Sequence, residues 1–389
     1  MASTAGTIPK PAGRPAAAAA RLPTFALEAV PWRSMAEATP AWDALALCAA
    51  EPNPFYESWY LMPALAAFDP AGDIALLRFE AGGELAGLMP VVRPRRYYGR
   101  YVPHLASWLH ANCFLGAPLA AAGLERPFWR ALLAWADRHA GGSLFLHLRH
   151  LPIGGPLHQA LNDVLAEQDR QAALVHREER ALLASDEPPE AYFEAALSGK
   201  KRKELRRQFA RLSELGEIRI ERSTDAEGLN AWIEAFLALE LAGWKGLAGS
   251  ALAAQPATAH LFRQSLHGAA LRGRLERLTL SLDGTPIAML ATFLTPPGAF
   301  SFKTAFDERY ARYSPGVLLQ RENLAILSRD DIAWSDSCAA ADHPMIDHIW
   351  RERRAIGRFS IAIGGPLRRA AFGVLVRAEL GRKPTGIGQ

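Results

Sequence analysis

The stretch SFKTAFDERYARYSPGVLL (residues 301–319) joins a strand pattern to the start of a helix, and the rest of the sequence can be placed around it. A strand is predicted from Phe300 to Asp307. A helix is predicted to begin at the Ser-Pro-Gly triplet of residues 314–316, because serine is a favoured N-cap and proline suits the first helical position. A strand that passes through a short loop into a helix is typical of α/β domains.

The segments around this stretch show one order of predicted elements twice. After residue 216 the pattern reads strand, helix, helix, three antiparallel strands, helix and strand, with Asp283-Gly284 as a hairpin turn. The first half of the chain shows a weaker version of the same order, beginning with a strand near residues 24–32. No repeat of residue types accompanies it, so the duplication is predicted from the order of elements alone.

The predicted helix start at residues 314–316 is suited to an anion. The first backbone N–H groups of a helix lack intrahelical partners, and the helix dipole adds positive charge there. Gly316 permits close approach of the backbone, and Arg309 and Arg312 precede it. These features favour a pyrophosphate site. On the local pattern alone, an ordinary capped helix is the simpler interpretation of the same triplet.

Four segments together resemble one bacterial family. The stretch at residues 301–319 resembles a motif of the BioF2-like or CelD-type acetyltransferases, a branch of the GNAT superfamily close to the FemAB-type transferases. The other three segments are SGKKRKELRRQFARLSELG (residues 198–216), FLALELAGWKGLAGSAL (236–252) and DGTPIAML (283–290). The combination is specific, although no single segment is.

The resemblance implies the fold class and the domains. We expect an α/β (α+β) protein of two tandem GNAT-like acyltransferase domains, each a mixed, mostly antiparallel sheet flanked by helices. The expected divisions are a disordered tail at 1–23, an N-terminal domain at 24–186, a catalytic domain at 187–345 with a junction helix at 198–216, and a basic C-terminal extension at 346–389 that is helical or irregular.

The resemblance also implies an acyltransferase whose co-substrate is acyl-CoA, with an acetyl or a longer acyl group. The donor phosphates would meet the helix start, at residues Arg312, Ser314, Gly316, Val317 and Leu318. The Q/R-x-x-G-x-G/A loop of ordinary GNAT enzymes is absent from the sequence, and Arg-Tyr-Ser-Pro-Gly takes its place.

Acyl transfer from a thioester to an amine needs a base for the amine, a donor for the oxyanion and an acid for the leaving thiolate. The predicted catalytic residues are Asp307, Tyr310, Asp336 and Glu240, with the carboxylates as bases and the phenol as acid; Glu308 is an alternative base and Tyr313 an alternative acid. A backbone N–H at residues 302–304 is the candidate oxyanion donor. A structural role is an alternative for each of these residues.

Five residues are predicted to contact substrate. Trp244 and Lys245 lie between glycines in a loop suited to line a pocket, and Lys303 is expected to pair with an acid or a ligand phosphate. Lys201 and Arg202 belong to the basic junction helix, which is suited to a CoA 3′-phosphate, a lipid headgroup or tRNA. A packed helix end and a solvated charged face explain the same residues equally well.

The composition limits the class of protein. The chain has 389 residues and a net charge of +4, and no apolar run approaches the ~20 residues that cross a bilayer. Because the N-terminal segment also lacks a signal-peptide core, we expect a cytoplasmic protein. Cys48, Cys113 and Cys338 lack CxxC spacing, and His343 and His348 do not share a helical face, so no metal is expected.

The C-terminal region is apolar and basic. Residues 351–383 contain nine lysines and arginines against two glutamates. Such a segment suits peripheral contact with the inner face of an anionic membrane, although a docked amphipathic helix is the simpler interpretation.

Three functions are compatible with the sequence. The first is an N-acyltransferase that acts on a small-molecule or lipid amine, such as a sphingoid base or another precursor of the cell envelope or of polysaccharide, with no DNA partner. The second is a FemAB-like transferase that uses aminoacyl-tRNA. The third is a GNAT-fold protein without catalysis that binds a partner in exopolysaccharide assembly.

Overall fold

The computed structural model describes residues 24–341, 343 and 345–381, so the predicted tail at 1–23 lies outside the described residues. The strands of the first half are β1 (Phe25–Pro31), β2 (Ala75–Ala81), β3 (Glu84–Val92), β4 (Arg96–Tyr97), β5 (Arg100–Tyr101), β6 (Leu105–Ser107), β7 (Leu119–Ala120), β8 (Phe145–Pro152) and β9 (Ala172–Leu183). Its helices are α1 (Thr39–Cys48), α2 (Ser58–Phe68), α3 (Glu125–Arg138) and α4 (Pro156–Glu167).

The second half follows the order of elements predicted from the sequence. Its helices are α5 (Pro189–Ala196), α6 (Gly199–Ser213), α7 (Leu229–Ala242), α8 (Trp244–Leu247), α9 (Pro256–Ala270), α10 (Pro315–Asn323) and α11 (Pro366–Leu380). Its strands are β10 (Ile218–Ser223), β11 (Leu275–Leu282), β12 (Thr285–Thr295), β13 (Gly298–Phe306), β14 (Trp334–Asp336) and β15 (Glu352–Ala362).

Thirteen strands of the described residues form one sheet. Its order is β1-β2-β3-β6-β8-β15-β9-β14-β13-β12-β11-β10, and β7 pairs with β3. Strands β1, β2, β3 and β6 are antiparallel in turn, and β6 is parallel to β8. Strands β10 to β14 repeat this sequence of pairings. The repeat confirms the predicted fold class of mixed, mostly antiparallel strands with flanking helices.

The predicted hairpin between β11 and β12 is confirmed at its turn. Asp283 has φ 48° and Gly284 has φ 75°. Positive φ at both central residues is the geometry of a type I′ turn, which matches the twist of the flanking strands. Aspartate and glycine tolerate this conformation well, and the Asp-Gly dipeptide therefore fixes the hairpin.

One aromatic core joins the two halves of the chain. Phe55 and Trp59 of the first half contact Phe293, Phe300 and Phe302 of the second, and the rings of Trp59 and Phe293 lie 4.9 Å apart. Edge-to-face contacts of this kind add to the free energy of burial. The two halves therefore hold each other in a fixed orientation.

The expectation for the C-terminal region is wrong over residues Glu352–Ala362, which form a strand in place of helix or irregular chain. This strand pairs with β8 on one side and with β9 on the other. It therefore lies in the middle of the sheet, where its apolar residues are buried. No helix in the part of the chain that the structure describes is long and apolar enough to cross a bilayer.

Candidate active site

A cleft opens where β13 and β14 separate. The two strands are parallel neighbours only over Gly298–Phe300 and Trp334–Asp336. Beyond this point the chain turns away at Cys338, which has φ 53° and whose N–H donates to the Asp336 carboxylate at 2.9 Å. One edge of β13 is therefore left without a strand partner from Ser301 onward, while β12 still pairs with its other edge.

A pocket of about 280 Å³ occupies this cleft. Its floor is the free edge of β13, and its walls come from the end of α7, from α8 and from the chain after β14. Phe114 of the first half also lines it. The predicted residues Glu240, Trp244, Lys245 and Lys303 all line this one pocket.

Lys303 contacts the first half of the chain through its ammonium group. Its Nζ donates to Oδ1 of Asn112 at 2.8 Å and lies 5.0 Å from the ring centre of Phe114. Burial disfavours the charged form, and the like charge of Lys245 adds to this effect, so the pKa of Lys303 falls to about 8. A lysine in this state exchanges a proton near neutral pH.

Glu240 lies at the end of the buried face of α7. Leu229, Ile233, Phe236 and Leu237 precede it on that face, so helical periodicity turns the carboxylate inward. It accepts hydrogen bonds at 2.7 Å from Lys245 Nζ and from the backbone N–H of Leu252. These two bonds compensate the burial of its charge, as a buried carboxylate requires.

Lys245 links this carboxylate to the free edge of β13. Its Nζ also donates to the carbonyl oxygen of Thr304 at 3.4 Å, so this carbonyl faces the pocket. In an antiparallel strand the N–H and C=O of one residue point to the same side. The N–H of Thr304 therefore also faces the pocket, in the segment where an oxyanion donor was predicted.

Trp244 stands at the rim of the pocket and is 56% exposed. Its backbone N–H donates to Oε1 of Glu308 at 2.6 Å, which fixes the loop between α7 and α8 against the loop after β13. An exposed indole at the mouth of a pocket is suited to contact an acceptor.

Three further groups near the pocket are held without charge. Burial lowers the pKa of His110 to about 3, with a contribution from the charge of Lys303. Burial and the charge of Lys245 also lower the pKa of His343. Burial raises the pKa of the Cys338 thiol well above its ordinary value, so this cysteine is not an activated nucleophile.

The other predicted catalytic residues have partners outside the pocket. Asp307 forms an ion pair with Arg309, and this hydrogen bonding lowers the pKa of Asp307. Tyr310 is half-buried and packs against an apolar cluster formed by residues of β11, β12 and α10. Asp336 is fully buried behind the pocket; although burial alone would raise its pKa, the charges of Arg180 and Arg354 hold the pKa of Asp336 below its usual value.

The predicted donor-binding residues surround the start of α10, beside the cleft. Ser314 is left-handed at φ 54°, and its carbonyl accepts the N–H groups of Val317 and Leu318 at 3.0 Å. Gly316 is buried against Met345 and Phe306, and Leu318 is buried as well. The guanidinium of Arg312 is exposed and stacks on Tyr313 at 4.7 Å.

Lys201 and Arg202 lie away from the main pocket, on α6. Lys201 lines a separate pocket of about 160 Å³ together with Val317. Arg202 is 3.6 Å from Glu194. The loop of residues 308–313 lies between α6 and α10, so the basic helix flanks the side of the cleft on which the donor-binding residues were predicted.

Sequence reasoning missed Asn112 and Phe114. Both belong to an irregular, aromatic segment that shows no helical or strand period, and the contact of Asn112 with Lys303 spans 191 residues. The available signal was an asparagine among aromatic residues, at His110-Ala111-Asn112-Cys113-Phe114.

Residues 199–343 match the family model of the acetyltransferase (GNAT) domain. This part of the chain is therefore similar to GNAT acetyltransferase domains and is called the GNAT domain below. The match contains the free edge of β13, α7, α8 and α10, so most of the pocket belongs to the GNAT domain. An acyltransferase activity follows for the protein.

Solved structures show the same fold over both halves. FemX is 10% identical with a TM-score of 0.54, and the similarity covers 85% of this chain and 98% of FemX. A protein of unknown function from Bacteroides thetaiotaomicron is 9% identical with a TM-score of 0.51, over 85% of this chain and 97% of that one. No curated protein sequence is significantly similar to the chain.

A third structure is the C-terminal domain of a candidate lysylphosphatidylglycerol synthetase from Agrobacterium fabrum. It is 13% identical with a TM-score of 0.50, over 90% of this chain and 99% of that domain. At these identities the three structures establish a shared fold, with the GNAT domain as its second half.

Proposed function

We propose that the protein transfers an acyl group from acyl-CoA to an amine, in the cleft between β13 and β14. The observation that carries the proposal is the free edge of β13, with the Thr304 N–H facing a pocket that also contains a lysine of pKa about 8. A thioester with an amide-containing arm pairs well with an unpartnered strand edge. The GNAT domain supports acyl-CoA as the donor, and its phosphates would lie at Arg312, Ser314, Gly316, Val317 and Leu318.

Each step of the transfer has a candidate group. The neutral amine of Lys303 takes the proton from the attacking acceptor amine, because its pKa is close to the working pH. As the C–S bond of the thioester breaks and the new C–N bond remains, the protonated Lys303 gives this proton to the leaving CoA thiolate. The N–H of Thr304 donates to the oxygen of the thioester carbonyl as negative charge develops there. The Glu240–Lys245 pair positions this edge, and Trp244 contacts the acceptor. In this scheme Asp336 keeps Arg180 and Arg354 in place and is not the base.

The acceptor is proposed to be a small-molecule or lipid amine of the cell envelope or of polysaccharide synthesis, such as a sphingoid base. The acceptor must present an uncharged amine to attack the thioester, and Lys303 is the proposed base for this deprotonation. We also propose that the chain belongs to the BioF2-like/CelD-type branch and acts in the cytoplasm without a metal; these predictions rest on the resemblance of its motifs.

The test is calorimetric titration of the purified protein with CoA, acetyl-CoA and palmitoyl-CoA, followed by thiol release in the presence of amines. We expect micromolar binding and release that depends on an acceptor. Lys303→Met should keep donor binding and lose release, while Lys200→Met, an exposed lysine on α6, should keep both. Absence of binding to every CoA species would contradict the proposal.

Aminoacyl-tRNA is the alternative donor, and the surface of α6 is the observation that favours it. Six of its lysines and arginines are exposed, and one glutamate, Glu204, pairs with Arg207. Such a face binds a phosphate backbone, with an affinity that falls steeply with salt. Salt-dependent binding of aminoacyl-tRNA together with no binding of CoA would replace the first proposal by this one.

A further inference from the structure

A second cavity, of about 400 Å³, lies between elements of the first half and the C-terminal elements β15 and α11. Its walls are the β4–β5 hairpin, the start of β8, the end of β15 and one face of α11. No predicted site residue lies in it. The cavity is larger than the pocket at β13, and nothing in the proposed acyl transfer uses it.

The cavity lies far from the cleft, along the same sheet. Ser360, in its wall, pairs with Ala173 of β9, and Asp336, behind the cleft, pairs with Leu182 of the same strand. These positions are nine residues apart on β9. At ~3.3 Å per residue the separation is about 30 Å, so one small ligand cannot occupy both sites.

Most of the cavity wall is apolar. Tyr97, Tyr98, Phe145 and Phe372 supply aromatic rings, and α11 adds the aliphatic side chains of Leu375, Val376 and Ala378 beside the carboxyl group of Glu379. Tyr97 and Phe145 pack at 5.2 Å between ring centres, and Phe372 is buried. A preformed concave apolar surface of this size is typical of a site for a hydrophobic ligand.

The polar groups of the cavity are already engaged, except at Arg100. The Tyr97 hydroxyl donates to Oε1 of Glu379 at 2.9 Å, and burial raises the pKa of this glutamate. Ser360 Oγ lies 3.1 Å from Nδ1 of His147. Arg100 lines the cavity, and within the described ranges its guanidinium has neither an ion pair nor a hydrogen bond.

Two neighbouring arginines add positive charge, and neither forms an ion pair with a carboxylate of the described residues. The guanidinium of Arg96 donates to the carbonyl of Gly99 at 2.9 Å, and that of Arg358 donates to the hydroxyl of Tyr98 at 3.2 Å. Arg100 therefore lines the cavity, and Arg96 and Arg358 bond to its neighbours Gly99 and Tyr98, so three arginines without an acidic partner among the described residues lie on this side of it. This combination complements an apolar chain that ends in an anion.

We propose that this cavity binds an anionic amphiphile, with its hydrocarbon chain between the aromatic rings of the β4–β5 hairpin and α11 and its anionic headgroup on Arg100. The shared chemistry is a single hydrocarbon chain with a carboxylate or phosphate end. A ligand of this kind can come from two sources. One is a free fatty acid in solution, and the other is a phospholipid of a bilayer that inserts one of its chains into the cavity.

The first experiment is calorimetric titration of the full chain with myristate below its micellar concentration, and with tetradecyltrimethylammonium as the cation of equal chain length. We expect myristate to bind at least tenfold more tightly. Ala378→Trp, which fills the cavity from α11, should abolish binding of myristate. Ala371→Trp, at an exposed position of the same helix outside the cavity, should leave it unchanged.

The second comparison tests the headgroup. Arg100→Glu should weaken binding of myristate at least tenfold, while Arg95→Glu, an exposed residue of the same segment outside the cavity, should not. Equal binding of the cation and the anion, or equal loss in both tryptophan variants, would overturn the proposal.

A vesicle arm separates the two sources. Co-sedimentation with phosphatidylglycerol vesicles that Ala378→Trp abolishes, without binding of free myristate, identifies a membrane lipid. Binding of myristate without co-sedimentation identifies a free fatty acid. Failure of both probes overturns the proposal and leaves binding of acyl-CoA at the distant cleft untouched, because the two sites share no residue.

Discussion

Nζ of Lys303 donates a hydrogen bond of 2.8 Å to Oδ1 of Asn112, and this bond connects the GNAT domain to the first half of the chain. Asn112 is 7% exposed, and its own carbonyl accepts the hydroxyl of Tyr60 at 2.5 Å. The amide is therefore fixed by the first half, and it orients a lysine that belongs to the second. The orientation of Lys303 in the pocket therefore depends on both halves of the chain.

The pH dependence of acyl transfer should follow Lys303. Only the neutral amine acts as a base, and its pKa is about 8, so kcat/KM should rise about tenfold per unit below that pH and level off above it. The measurement is thiol release from acyl-CoA between pH 6 and 10, with an acceptor whose amine titrates outside this range. Lys303→Met should lose at least ~10²-fold on the plateau above pH 8, and the loss should shrink as the pH falls. A profile unchanged in this variant would contradict the role of Lys303.

Asn112 variants should move the midpoint of that profile in opposite directions. Asn112→Asp places a negative charge beside the ammonium, so the pKa of Lys303 should rise by about one unit or more. Asn112→Leu removes the acceptor of the charged form, so the pKa should fall. If Asn112 had only a structural role, its variants would change the rate without moving the pH midpoint. That result would contradict the proposal that Asn112 positions Lys303.

The sequence predicted the part of the site that local patterns determine. Glu240 comes just before the glycines around Trp244 and Lys245, which mark a loop, so the sequence groups these three residues, and they line one pocket. The contact of Lys303 with Asn112 joins residues 191 positions apart, and no local period encodes it. The first-half wall of the pocket could not be predicted for this reason.

The strand β15 was missed for a related reason. Residues 352–362 mix arginines with apolar residues, a pattern that suggested a basic extension. In the fold they lie between β8 and β9, and Arg354 pairs with the buried Asp336 at 3.0 Å. A charged residue in a central strand is tolerated because this ion pair exists, and the pair forms only in the folded chain. The strands of the GNAT domain have local hairpins and were predicted correctly.

Loss of Asp336 should destabilise the whole protein. Its carboxylate is fully buried and bonds both Arg180 and Arg354, so Asp336→Asn leaves two buried positive charges with one neutral partner. We expect a loss of about 3–5 kcal/mol in the free energy of unfolding, measured by urea denaturation. Asp331→Asn removes the surface pair with Arg329 and should cost less than about 1 kcal/mol.

The same carboxylate should contribute to acid sensitivity. The pKa of Asp336 is lower in the folded protein than in the unfolded chain, so its contribution to stability is complete above the unfolded value of about 4. That contribution should be lost as the pH falls below about 4 toward the folded value. A wild-type protein whose stability fell with pH no faster than that of Asp336→Asn would contradict this role.

The last prediction concerns the gap between β6 and β8 in the first half. This gap corresponds to the cleft between β13 and β14, but the chain itself fills it. Strands β6 and β8 are parallel neighbours only at Leu105–Ala106 and Leu146–His147, as β13 and β14 are in the second half. The N–H of Gly116 donates to the carbonyl of His150 at 2.9 Å in the gap beyond, and a Cβ on Gly116 would overlap the backbone oxygen of Arg149.

Gly116→Ala must therefore displace backbone, and we expect it to cost about 1–3 kcal/mol in the free energy of unfolding. Because Asn112 and Phe114 lie just before Gly116, the displacement should also shift the pH midpoint of Lys303. The control is Gly142→Ala, where a Cβ meets no atom within 4 Å and stability should be unchanged. If Gly116→Ala altered stability alone and the midpoint stayed at about 8, the filled cleft would act only as a core element. A shift of both would show that the first half maintains the catalytic geometry of the second.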